Sequence, residues 1–241
     1  MLITSLNNDK IKELSKLKIK KYRDQERKFL VEGDHLVNEA YKTSNLLEVF
    51  ALEGETISYD NINVTFVTKE VLKKLSDQDS STNVIGVCKY IDENINNDSN
   101  ILFLDGIQDP GNLGTIIRSA AAFNYSLVLG AGTVDIYNSK VVRATEGMIF
   151  HISFIKCNIV DFIKDNNSYK YYIADMNKGV SVLDYNLDEK VAIIMGNEGN
   201  GVSDIVRSAV DNYIHIPQSS NVESLNVGVA ASILMFNMGG K

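Results

Sequence analysis

The sequence predicts an α/β protein: a small α/β domain, then a larger one whose sheet is mostly parallel. Three observations carry this. Short apolar runs alternate along the chain with segments whose apolar residues recur at helical spacing. One polar, turn-prone stretch, residues 92–100 (DENINNDSN), interrupts that alternation. Hydrophobic residues make up 44% of the 241 residues, enough for a real core and too many for global disorder.

Taken in order, residues 9–20 read as a helix with Ile11, Leu14 and Leu17 on one side. Lys28–Val31 reads as a strand, broken by Gly33, and 34–43 as a helix carrying Leu36, Val37, Ala40 and Tyr41. Strands at 46–52 and 64–68, a short helix at 69–75 and a strand at 84–90 complete a mixed α/β order. Residues 1–91 are thus expected as the first domain, 92–100 as a linker and 101–241 as the second domain. In the second, strands are expected at 101–105, 126–130, 149–155, 171–174, 191–195 and 213–216. Helices are expected at 112–124, 138–144, 159–165, shortly after 202, and at 223–238. Strands alternating with helices imply a parallel sheet covered on both faces, with ligands bound beyond the carboxyl ends of its strands.

Composition narrows the function. No apolar run approaches the roughly 18 residues that a membrane-spanning helix needs. The N-terminus turns lysine-rich without a long apolar region, so a secretory signal is not expected and a cytoplasmic location is. Cys88 and Cys157 read as free thiols in a reducing compartment. His35, His151 and His215 form no ligand spacing, so no metal site is expected. Net charge is −7, yet residues 1–30 hold nine Lys/Arg against four acids. A local +5 on a remainder of −12 suits a face that meets phosphate, and suits a solvated helix face equally well.

Three stretches carry the chemistry. In Asp105–Phe123, Asp109-Pro110-Gly111 suits a tight turn between strand and helix, and Asn112 and Arg118 are two polar side chains of the helix that follows which a purely structural account leaves over. Asn112 alone could be an N-cap, and Arg118 alone a surface or salt-bridge residue. After strand 191–195 comes Gly196-Asn197-Glu198-Gly199-Asn200-Gly201. Its glycines allow close backbone approach. The order is neither a dinucleotide fingerprint nor a P-loop, and Glu198 would repel phosphate. After strand 213–216 comes Pro217, then Gln218-Ser219-Ser220-Asn221-Val222-Glu223-Ser224-Leu225-Asn226, more small polar residues than helix capping needs. Both prolines of the chain, Pro110 and Pro217, lie in these loops.

Together, Asn112-x-Gly114-x-x-x-Arg118, Gly196-Asn197-Glu198-Gly199-x-Gly201 and Ile216-Pro217-(x)6-Ser224-Leu225-Asn226-Val227 resemble the three signature motifs of the TrmH/SpoU family of RNA 2′-O-ribose methyltransferases, of the SPOUT superfamily. The resemblance covers roughly residues 98–241. Lys140–Gly147 resembles a weaker family segment, with Glu146 where a small residue is usual, and Gln218 with Ser219-Ser220 replaces a more common Met and glycine. The N-terminal part resembles, more loosely, the L30e-like substrate-binding domain of some members.

The resemblance implies a trefoil-knotted C-terminal domain, S-adenosylmethionine as cofactor, and a homodimer whose active site draws on both chains. By position, Met195, Gly196, Ile216, Pro217 and Leu225 would contact the cofactor, with Asn197, Gly199 and Asn226 close by. Arg118 would act on the ribose hydroxyl, while Asn112, Glu198, Ser224 and Asn226 complete the catalytic group. Methyl transfer needs an in-line nucleophile held close, and a ribose hydroxyl needs help losing its proton. A free guanidinium stays protonated, so Arg118 either sits in an extreme environment or orients the nucleotide. Structured RNA is the expected substrate, 23S ribosomal RNA ahead of transfer RNA. A non-catalytic RNA-binding protein and an NAD-binding enzyme are the alternatives. The second lacks the glycine fingerprint after a first strand.

Overall fold

The computed structural model describes residues 2–77, 82–185, 190–219, 221 and 223–239. Ser220 and Val222 of the third motif lie outside the described residues. In chain order the elements begin with β1 (Leu2–Ile3), α1 (Asp9–Lys16), α2 (Lys20–Glu26), β2 (Lys28–Glu32), α3 (Asp34–Lys42), β3 (Leu46–Leu52), β4 (Asn63–Val67), α4 (Lys69–Leu75) and β5 (Val84–Lys89). There follow β6 (Asn100–Asp105), α5 (Pro110–Phe123), β7 (Tyr125–Leu129), α6 (Ser139–Ala144), a 3-10 turn at Met148–His151, β8 (Phe154–Lys156), α7 (Ile159–Asp165) and β9 (Lys170–Ala174). The chain ends with β10 (Val180–Ser181), a 3-10 turn at Val182–Asp184, β11 (Val191–Gly196), α8 (Asp204–Arg207), β12 (Tyr213–His215) and α9 (Val227–Met238).

These elements form two compact units. The first is Met1–Asp92 with Asp135–His151, and the second is Glu93–Val134 with Ile152–Lys241. The segment 135–151, inside the second domain expected from sequence, therefore packs with the first unit. Its anchors are specific. The Tyr137 ring stacks on Tyr90 at 3.8 Å, and the Tyr137 hydroxyl accepts from the Ile91 N–H at 3.0 Å. Asp135 pairs with the buried Arg23 at 2.7 Å. Arg23 also donates to the carbonyls of Leu17 and Lys18, which would otherwise be orphans just past α1.

The first unit holds a mixed five-stranded sheet in the order β1-β4-β3-β5-β2, with β5 antiparallel to both of its neighbours. The helix expected over 9–20 stops at Lys16, and α2 forms separately. Nothing in KKYRDQE repeats at apolar helical spacing; Arg23, a charged residue, takes the buried position.

The second unit holds seven strands in the order β10-β12-β9-β11-β6-β7-β8, every pair parallel, as the alternation implies. Its central strands are buried runs such as Ile101–Leu104 and Val191–Met195. Each such side chain contributes about 1.5–3 kcal/mol on burial. The strand expected over 149–155 is a 3-10 turn followed by the three-residue β8. Glu146 and Gly147 precede it, both with positive φ (49° and 81°), so the backbone enters that stretch curled. Met195 pairs with Leu104 and Gly196 with Asp105. The carboxyl ends of β6 and β11 are therefore level, and the loops that leave them run side by side.

Candidate active site

Helix α5 begins earlier than the sequence reading places it. Asp109 is the N-cap, its side chain accepting from the Asn112 N–H at 2.8 Å, and Pro110 occupies the first turn. The stretch 109–111 is the start of the helix rather than a separate turn. Asn112 is thus not the cap, and its side chain is free for other partners.

It uses them fully. The Asn112 Nδ2 donates to Glu198 Oε1 at 3.0 Å, and its Oδ1 accepts from Asn226 Nδ2 at 2.8 Å. Asn226 is the N-cap of α9, its Oδ1 accepting from the N–H groups of Gly228 (2.9 Å) and Val229 (3.2 Å). Only one orientation of each amide satisfies this chain, because backbone donors fix Asn226 Oδ1 and a carboxylate fixes Asn112 Nδ2. One residue from each signature motif thus joins a single hydrogen-bonded line. Glu198 also accepts from the N–H groups of Asp109 (3.3 Å) and Gln108 (3.4 Å). Partial burial pushes the Glu198 carboxyl up. The Asn112 amide and the N–H groups of Glu198 itself, Gln108 and Asp109 outweigh that effect and hold it below its ordinary value.

The loop after β11 closes on itself. Asn197 and Gly201 exchange backbone hydrogen bonds at 3.0 and 2.9 Å. The Asn197 side chain accepts from the N–H groups of Gly199 and Asn200 and donates to the Gly106 carbonyl at 2.8 Å. Two glycines here are required by the loop itself. A Cβ on Gly196 would lie 2.1 Å from the backbone of Gly201 and Val202, and Gly201 has φ +69°.

A cavity of about 590 Å³ opens beyond β9, β11 and β12. Its wall includes Met195, Gly196, Asn197, Glu198, Gly199, Ile216, Ser224, Leu225 and Asn226. Nine predicted site residues therefore meet at one cavity, and Asn112 joins them through its hydrogen bonds. Pro217 and Arg118 are not on the wall. Arg118 is exposed on α5 and has no hydrogen-bond or ion-pair partner among the described residues. The wall also holds residues that sequence reasoning passed over: Asp175, Met176, Arg207 and Ile214. The rule about strand carboxyl ends, applied to β9 as it was to its neighbours, points to Asp175 and Met176. Burial pushes the Asp175 carboxyl up, while the Asn177 N–H, Arg207 and the Lys178 N–H together bring it below its ordinary value.

Residues 99–236 match the family described as SpoU rRNA methylase. The chain belongs to that family. Residues 8–86 match the MRM3-like substrate binding domain. Among relatives, the chain is 33% identical to the 23S rRNA (guanosine(2553)-2′-O)-methyltransferase RlmP of Bacillus subtilis, over 99% of each protein. Among solved structures, it resembles an AdoMet-bound rRNA methyltransferase from Sinorhizobium meliloti, with a TM-score of 0.86 and 26% identity, over 99% of this chain and 97% of that one. It also resembles an RNA 2′-O ribose methyltransferase, with a TM-score of 0.82 and 30% identity, over 99% and 98%. The α/β architecture with its parallel sheet is that of this methyltransferase family.

Proposed function

We propose that this chain methylates the ribose 2′-hydroxyl of RNA with S-adenosylmethionine as donor, and that its substrate is 23S ribosomal RNA. The observation that carries the proposal is the line Asn226–Asn112–Glu198, which ties the three family motifs together beside one cavity. The relatives add the rest: one methylates 23S rRNA at a guanosine 2′-oxygen, and one is bound to AdoMet.

The cavity fits that cofactor. Its volume lies in the range of small-molecule sites. Met195, Ile214, Ile216, Leu225 and Leu234 give it an apolar wall for a purine, while the 196–201 loop presents backbone groups. When bound, S-adenosylmethionine supplies an electrophilic methyl group on a sulfonium. The chain's part is position and proton control. Glu198, held below its ordinary carboxylate value and filled with hydrogen bonds, is a poor base; it fixes Asn112 and the start of α5. Ser224 and Asn226 sit on the cavity wall at the entry to α9. Arg118, exposed and unpartnered among the described residues, is the group assigned to the ribose and its phosphate.

The assembly we assign is a homodimer, with the C-terminal chain path knotted as in the family. In α9, Val229 and Phe236 are 45% and 66% exposed. They lie seven residues apart, close to two turns, so they share one apolar face. A second copy covering that face fits both this surface and an Arg118 that stands off the wall of its own cavity. Sedimentation at micromolar concentration is expected to give a dimer; a monomer overturns this assignment. The first unit is assigned to RNA, through the exposed Lys12, Lys16, Lys20, Lys21 and Arg27 of its N-terminal helices and their C-terminal edge.

Arg118→Ala tests the catalytic part. It is expected to abolish methyl transfer to 23S rRNA while leaving the affinity for S-adenosylhomocysteine and the melting temperature near wild type. Methylation at near wild-type rate would remove Arg118 from the mechanism.

A further inference from the structure

The cavity wall carries charges that none of the three motifs accounts for. Among its described residues the wall has one Lys or Arg, Arg207, and three acids, Asp175, Glu198 and Glu223. Glu198 is committed to Asn112 and backbone N–H groups. Arg207 and Asp175 are not committed in that way.

Arg207 is the last residue of α8. Its Nε donates to the Val202 carbonyl at 2.9 Å, which fixes the plane of the guanidinium. Its Nη1 lies 3.5 Å from Asp175 Oδ2, and its Nη2 has no acceptor among the described residues. Asp175 follows β9 and spends Oδ1 on the N–H groups of Asn177 (3.1 Å) and Lys178 (3.2 Å). That leaves Oδ2 with the long contact to Arg207. A charge-assisted pair closes to about 2.7–2.9 Å when nothing else competes. Here a guanidinium edge and a carboxylate oxygen stand side by side on a cavity wall, each with bonding capacity unused.

We propose that Asp175 and Arg207 form a clamp for the amino-acid end of the cofactor, Arg207 taking its α-carboxylate and Asp175 its α-ammonium. The clamp rests on the reading of the cavity as an adenosyl-cofactor site and deepens it. S-adenosylmethionine has one anionic group, and among its described residues the wall has one cationic side chain to meet it. Its ammonium sits on the same carbon as its carboxylate, so the two need opposite charges next to each other. Asp175 and Arg207 provide that arrangement. A planar fork also suits a carboxylate better than an ammonium point charge does.

The test is isothermal titration calorimetry on the full chain with two probes. S-adenosylhomocysteine has the amino-acid end, and 5′-methylthioadenosine lacks it. Arg207→Gln is expected to weaken S-adenosylhomocysteine roughly tenfold to a hundredfold and to leave 5′-methylthioadenosine within about twofold. Arg207→Lys, which keeps the charge and loses the fork, is expected to fall between wild type and Arg207→Gln for the first probe only. Equal weakening of both probes, or of neither, would overturn the clamp while leaving the cofactor site standing. A wild-type chain that binds neither probe would overturn the cofactor reading and the clamp with it.

Discussion

The two loops that wall the cavity are held in opposite ways. The loop 197–201, after β11, is stitched to itself by paired backbone bonds and by the Asn197 side chain, and to the Gly106 carbonyl just past β6. The loop 216–226, after β12, makes one long internal bond among its described residues, from the Asn221 N–H to Ser219 Oγ at 3.4 Å. Its firm hold is at its far end, where Asn226 caps α9 and reaches Asn112. One loop brings its own shape. The other takes its shape from the helix that it enters. Glycine serves the first because backbone must touch backbone; asparagine serves the second because one amide can both cap a helix and donate onward.

Two substitutions break or sharpen this contrast. The larger effect is expected from Gly196→Ala. A Cβ placed 2.1 Å from the Gly201 backbone cannot be relieved by a side-chain rotation. A loss of about 3 kcal/mol or more in urea unfolding is expected. Near wild-type stability would mean that the first loop yields, and the contrast would fail. The smaller effect is expected from Asn226→Asp. Aspartate still caps α9, but it cannot donate to Asn112 and places a carboxylate against an acceptor oxygen. A stability loss of about 1–2 kcal/mol is expected, with weaker binding of S-adenosylhomocysteine. If both quantities match wild type, the second loop is not held through Asn112.

Much of this fold was legible because the central strands are uninterrupted buried runs. Ile101–Leu104 and Val191–Met195 read as parallel-sheet strands, and the sheet has them paired at its centre. Short or charged elements were not legible. β1 and β10 have two residues each, and α2 buries an arginine where a pattern of apolar residues would look for a leucine. The final helix starts at Val227 instead of 223 because the polar residues before it are loop and cap, which helical periodicity alone does not separate from the first turn. The start of α5 was readable from Asp-Pro, a cap followed by a first-turn proline, and was obscured by treating the proline as a turn residue. At the site, motif spacing brought nine residues to one cavity wall. It missed Asp175, a lone carboxylate just past β9, and Arg207, the last residue of the short helix α8.

The return of residues 135–151 to the first unit has a consequence for anyone who would divide the protein. Because the polypeptide changes units at 92–93, 134–135 and 151–152, no single cut yields two whole modules. A fragment ending at residue 92 would strand the Arg23 guanidinium, without Asp135, at a site where it is now almost sealed from water, and would uncover the Tyr90 face that Tyr137 now stacks upon. The inheritable piece is the entire chain: a recombination event between residues 93 and 134 that kept only the front half would carry away the charge and discard its counterion.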